Sequence, residues 1–182
     1  MPGSPFKLMG SREIYRNRWI SVREDRVLRP SGVDGIFGIV DMIQGASVLA
    51  IDDTNNVVLT REYKYAIDRP SYEVVSGGIE PRETPLAAAR RELLEEVGVV
   101  AERWIDAGCI DPFTTVVNSP NYMFVALGLS ERARTHDPDE SIVVEKIPLE
   151  QALAMVMAGR ITHGASCVLI LKASVLLGAG QL

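Results

Sequence analysis

Apolar and polar positions alternate loosely through residues 13–27 (EIYRNRWISVREDRV), with Ile14, Trp19, Ile20, Val22 and Val27 at the apolar steps. That period of two predicts one or two strands. Arg29-Pro30-Ser31-Gly32 breaks the pattern, a further strand is expected over 35–43, and Gln44-Gly45 turns the chain. Residues 1–45 thus read as a small antiparallel layer, with the first ten residues (MPGSPFKLMG) frayed. The continuous apolar run 46–51 (ASVLAI) predicts a buried strand, the cluster DDTNN at 52–56 a turn, and 57–65 (VVLTREYKY) its hairpin partner. Residues 68–70 turn again, and 72–75 form a short strand that delivers the chain to Ser76-Gly77-Gly78. Further strands are expected at 104–109, 122–127 and 142–147, a loop at 111–115 and a polar loop at 130–140.

The period changes after residue 84. Leu86, Ala89, Leu93 and Val97 recur at three- and four-residue spacing, the single apolar stripe of a helix. Thr84 can cap its start, Pro85 suits its first position, and Gly98 suits a left-handed stop. Two more helices are expected at 149–158 and 166–177. Three helices among strands with no regular βαβ rhythm predict an α+β fold, with 46–182 as its main domain.

Composition narrows the function. The 182 residues are 47% hydrophobic and 24% charged, with a net charge of −5, which argues against a nucleic-acid surface. The longest apolar run, near 166–177, is interrupted by Lys172 and is too short to span a bilayer, so no membrane partner is expected. The opening residues lack the apolar core of a signal peptide. Cys109 and Cys167 have no CxxC spacing and read as buried, inert thiols of a reducing cytoplasm. His136 and His163 stand alone in the sequence, without zinc-site spacing.

The helix carries its charges in an unusual place. Glu92, Glu95 and Glu96 fall at i, i+3 and i+4, so they project from one face. They also occupy the last two turns, where the helix dipole favours cations, at a cost of about 0.3–1 kcal/mol each. A divalent cation that needs hard oxygen ligands would offset that repulsion. Gly77 and Gly78 allow a backbone approach that any Cβ would block, and a backbone carbonyl near Ser76 is a further candidate ligand.

Taken together, Gly77, Glu83, Arg91-Glu92-Leu93, Glu95-Glu96 and Gly98-Val99 stand at the spacing of the signature of the Nudix hydrolases, which this stretch resembles at every fixed position. The resemblance implies the Nudix fold, an α/β/α sandwich with a mixed central sheet, and hydrolysis of a nucleoside diphosphate linked to another moiety. It implies Mg²⁺ as cofactor, with Mn²⁺ able to substitute, held by Glu92, Glu95 and Glu96. Arg91 would orient a carboxylate through a bidentate contact, and Glu83 would support the loop or an outer-shell ion. In such relatives the N-terminal layer pairs with a second subunit, so a homodimer is expected.

Features outside the signature lean towards nucleotide sugars, with ADP-ribose first. Residues 58–65 (VLTREYKY) and 72–78 (YEVVSGG) resemble the strand and the lead-in to the signature in ADP-ribose pyrophosphatases, making Arg61, Glu73, Gly77 and Gly78 candidate substrate contacts. The run Asp137-Pro138-Asp139-Glu140 resembles their acidic loop, and any of Asp137, Asp139 and Glu140 can serve as general base. The chain departs from that pattern at Val75-Ser76, at Pro112-Phe113-Thr114-Thr115 and at Thr162-His163-Gly164-Ala165-Ser166. Other readings are a Nudix hydrolase for a dinucleoside polyphosphate or an oxidised nucleotide, and a non-catalytic nucleotide-sugar sensor.

Overall fold

The computed structural model describes residues 3–134 and 141–182, so Asp137, Asp139 and Glu140 lie outside the described residues. The chain divides into two compact units: Met1–Gln44 with Asp111–Pro120, and Gly45–Ile110 with Asn121–Leu182.

The first unit is a four-stranded sheet. Strands β1 (Lys7–Arg16), β2 (Ile20–Leu28) and β3 (Asp34–Met42) pair antiparallel in sequence order, and the short β9 (Val117–Asn118) adds in parallel beside β3. From Lys7 on, the stretch expected to be frayed is therefore a paired strand. Lys7 pairs with Leu28, and Phe6 packs edge-on against Phe37 with ring centroids 5.2 Å apart. Both faces of β1 are largely exposed, so its residues carry little alternation for sequence reasoning to find.

The second unit holds the mixed sheet, in the order β11 (Val143–Pro148), β5 (Asn56–Lys64), β4 (Gly45–Ile51), β10 (Asn121–Glu131) and β8 (Val99–Ile110). Strand β10 runs parallel to β4 and antiparallel to β8. Helix α1 (Pro85–Val97) covers one face, where Ala88, Ala89 and Leu93 pack on Ala46, Val48 and Phe124. Helices α2 (Leu149–Met157) and α3 (Gly164–Gly178) cover the other, with Leu169 and Ile170 against Leu49, Leu59 and Met123. This is the α+β arrangement, an α/β/α sandwich.

One feature of the sheet positions the site. The β4–β5 hairpin pairs at Ala50↔Val58 and Ile51↔Val57, and the two strands then part. The chain runs into the opening along β5 as β6 (Arg69–Glu73), from Lys64↔Arg69 to Thr60↔Glu73. It turns at Val74 and runs out along β4 as β7 (Val75–Gly78), from Val48↔Val75 to Gly45↔Gly78. Arg69 and Pro70, expected in a turn, thus begin a strand, and the short strand expected at 72–75 is split at its apex.

Cys109 is exposed rather than buried. Strand β8 lies at the sheet edge, and a register shift opposite Met123/Phe124, with Gly108 at φ +90, disturbs the side-to-side alternation there. Cys167 is half-buried, and burial pushes its thiol up.

Candidate active site

Helix α1 starts and stops where its sequence dictates. The Thr84 side-chain oxygen accepts the Ala87 N–H at 3.2 Å, Pro85 opens the first turn, and Gly98 closes the last at φ +67. These ends fix the rotation of the helix, which turns Leu93 into the core and Glu92 towards the β7 strand.

Arg91 stands at the centre of the carboxylates. Its Nε and Nη2 donate to the two oxygens of Glu83, each at 3.0 Å, a two-point fork. Nη1 donates to Glu92 at 2.7 Å and to Glu95 at 3.2 Å, and Nη2 also donates to the Gly78 carbonyl at 2.9 Å. Glu83 in turn accepts the Glu80 N–H at 3.0 Å, closing the loop that leads into the helix. The hydrogen bond from Arg91 is the main influence holding the Glu83 carboxyl below its usual range.

Glu92 is nearly buried, with 13% of its side chain exposed. Burial pushes its carboxyl above the usual range even though Arg91 pulls the other way. Its carboxylate lies directly against the backbone of Gly77, so that a Cβ placed at Gly77 would fall inside it. Glu95 is the more open of the two, at 44%.

Ser76, one residue before Gly77, donates its hydroxyl to the Val74 carbonyl at 3.1 Å and lies 2.8 Å from the hydroxyl of fully buried Ser47. Glu96 is among the charges felt by Lys64. Burial alone would lower that ammonium, but Glu62, Glu73 and Glu96 raise it. Lys64 pairs with Glu62 at 2.5 Å and stands 3.9 Å from Glu73, whose Oε2 is 3.7 Å from His163 Nδ1.

The structure therefore brings together Gly77, Gly78, Glu83, Arg91, Glu92 and Glu95, and sets Glu73 beside Lys64. Arg61 is engaged elsewhere, with Glu145 at 3.1 Å and over the Tyr72 ring at 5.9 Å. Sequence reasoning passed over Lys64, His163 and Ser166. The departure at 162–166 from the pyrophosphatase pattern pointed to His163 and Ser166, and the resemblance of 58–65 took in Lys64 without singling it out.

The donor set suits a hard divalent cation. Three carboxylates share one helix face, a set of hard oxygen donors in the number such an ion takes from a protein. Among the described residues, no group of three His, Cys, Asp or Glu side chains is already gathered for an ion, since the carboxylates surround Arg91.

Residues 42–165, more than half of the chain, match the NUDIX domain, and residues 6–40 match the nucleoside diphosphate sugar hydrolase N-terminal domain. The chain belongs to the Nudix family, whose members generally use divalent metal ions. It is 28% identical over 159 residues to a methanol dehydrogenase activator of Bacillus methanolicus, covering 85% of each chain. It is 28% identical over 158 residues to an ADP-ribose pyrophosphatase of Bacillus subtilis, covering 82% of each. An ADP-ribose pyrophosphatase of Mycobacterium tuberculosis is 25% identical over 161 residues, with 87% of this chain and 78% of that one covered. The crystal structure of an ADP compounds hydrolase superposes with a TM-score of 0.84 over the whole of both chains at 19% identity, a likeness of fold. Among the described residues no helix is long and apolar enough to cross a membrane.

Proposed function

We propose that this Nudix hydrolase cleaves the diphosphate bond of a nucleotide sugar, ADP-ribose first, giving a nucleoside monophosphate and a sugar phosphate. The observation that carries the substrate class is the match of residues 6–40 to the nucleoside diphosphate sugar hydrolase N-terminal domain, upstream of an intact set of signature glutamates. Two relatives named ADP-ribose pyrophosphatase support the same choice.

In this reading Glu92, Glu95, Glu96 and a backbone carbonyl at Ser76 hold Mg²⁺, which Mn²⁺ can replace. The ion supplies charge neutralisation for the diphosphate and acidification of water. Arg91 holds Glu92 and Glu95 in place, and its fork to Glu83 keeps the loop before α1 closed. Gly77 and Gly78 leave room for carboxylate and substrate, Arg61 and Glu73 contact substrate, and Gly98 ends the helix below the carboxylates. The proton of the attacking water goes to a carboxylate of the acidic loop: Glu140, or its neighbours Asp137 and Asp139.

The protein works as a homodimer of cytoplasmic molecules. Ile14, Trp19, Val33 and Ile36 in the first unit are each more than half exposed, an apolar surface that a second copy would cover. A monomer at micromolar concentration in light scattering would overturn the dimer.

The test of the activity is ³¹P NMR of the protein with ADP-ribose and Mg²⁺, beside a Glu95→Gln/Glu96→Gln double variant. Appearance of AMP and ribose 5-phosphate, lost in the variant and on chelation, is the expected result. Cleavage of other nucleotides but not ADP-ribose would replace the substrate. Binding without any cleavage would make the protein a sensor.

A further inference from the structure

The apex of the β6–β7 turn has an unusual backbone. Val74 is 1% exposed and sits between β6 and β7, outside both ladders. Its N–H and C=O are nonetheless both satisfied, by side chains. Ser166, fully buried in the first turn of α3, accepts the N–H at 2.9 Å, and Ser76 donates to the carbonyl at 3.1 Å. A buried peptide group left unpaired is costly, so these two hydroxyls fix where the apex sits.

His163 extends the arrangement. Its Nδ1 lies 2.8 Å from Ser166 Oγ and 3.7 Å from Glu73 Oε2. Either that nitrogen or the Ser166 hydroxyl donates across the 2.8 Å contact, according to the tautomer of the ring. Burial lowers the imidazole below its usual range, with the Lys64 charge acting the same way and Glu73 opposing. On one side of the apex the contacts lead through Glu73 to Lys64, 3.9 Å away. On the other they lead through Ser76 to Gly77, against which Glu92 lies.

We propose that His163 and Ser166 are positioning residues of the hydrolase: from the start of α3 they hold the Val74 peptide, and so set Gly77 beneath Glu92. Neither touches the reacting atoms. The inference rests on the glutamate set being the reaction centre, and it assigns this task to a stretch where the chain departs from the pyrophosphatase pattern.

Amide side chains separate the two nitrogens of the ring. Asparagine places its amide, a donor or an acceptor, near the position of Nδ1, whereas glutamine reaches the position of Nε2. The experiment measures kcat and KM for ADP-ribose with Mg²⁺, and Mn²⁺ affinity by electron paramagnetic resonance, for His163→Ala, His163→Asn, His163→Gln and Ser166→Ala. Thermal midpoints report folding. Positioning through Nδ1 predicts that His163→Ala lowers kcat and Mn²⁺ affinity about tenfold with KM little changed. His163→Asn restores both and His163→Gln does not. Should Ser166→Ala fail to fold, the three His163 variants still decide.

Rescue by glutamine alone, or a change in KM alone, would make His163 a substrate contact and overturn the proposal. A lower thermal midpoint with unchanged kcat and Mn²⁺ affinity would reduce it to packing and overturn it too. If the wild type binds Mn²⁺ but leaves ADP-ribose intact, the substrate reading fails, and the Mn²⁺ affinities alone judge the positioning role. If the wild type neither turns over nor binds Mn²⁺, both fail.

Discussion

The carboxylate of Glu92 rests on the bare backbone of Gly77, two residues that belong to different elements and meet only because α1 crosses β7. No other side chain can replace hydrogen at Gly77 without displacing that carboxylate.

Gly77→Ala should therefore leave a folded protein with a displaced Glu92. A shift of about 1 Å at a reacting group can cost about 100-fold in rate. The expected outcome is a loss of that order in kcat, with the far-ultraviolet circular dichroism of the wild type. Wild-type kcat in the alanine variant would contradict it.

Arg91→Lys keeps the charge but loses the planar fork to Glu83 and the simultaneous reach to Glu92, Glu95 and the Gly78 carbonyl. With 25% of the Arg91 side chain exposed, the loss should be about 1–3 kcal/mol. Urea unfolding measures this, and activity should fall further than stability does because three signature carboxylates, Glu83, Glu92 and Glu95, lose their partner.

Asp52 supplies the acid-sensitive contact of the β4–β5 turn. Burial alone would raise its carboxyl. Lys146 at 2.6 Å, the Asn56 N–H at 2.9 Å and the Thr54 hydroxyl at 2.8 Å outweigh that and hold it well below the usual range. Because the folded value lies below the unfolded one, the stabilisation is complete above about pH 4 and disappears as the pH falls further, towards the folded value. Asp52→Asn should lower the unfolding midpoint at pH 7. The gap to wild type should narrow in strong acid, as thermal melts across pH would record.

The two ends of α1 make a paired comparison. Thr84→Ala removes one cap hydrogen bond and should cost about 1 kcal/mol. Gly98→Ala forces a side chain into φ +67 and brings its Cβ to 2.8 Å from the Arg132 carbonyl, so it should cost more than the Thr84 change. Equal midpoints in urea for the two variants would contradict this ordering.

The sequence by itself determined the local parts: α1 with its cap and stop, the β4–β5 hairpin, and three glutamates on one helix face. Each of these depends on neighbours within a few residues, where helical period, turn chemistry and side-chain direction act directly. The first part of β1, before residue 13, escaped because its exposed faces carry no period, and Cys109 was misplaced because a bulge in an edge strand disturbs the alternation. Tertiary structure alone decided that the β4–β5 hairpin opens, that Val74 forms the apex of the chain filling it, and that Glu92 meets Gly77. It also brought Ser166 to Val74 across 92 residues of sequence. Such contacts follow from how strands splay and where a helix starts after a long crossover. No short stretch encodes them, because the energy that selects them comes from burying the whole sheet between its two helical layers.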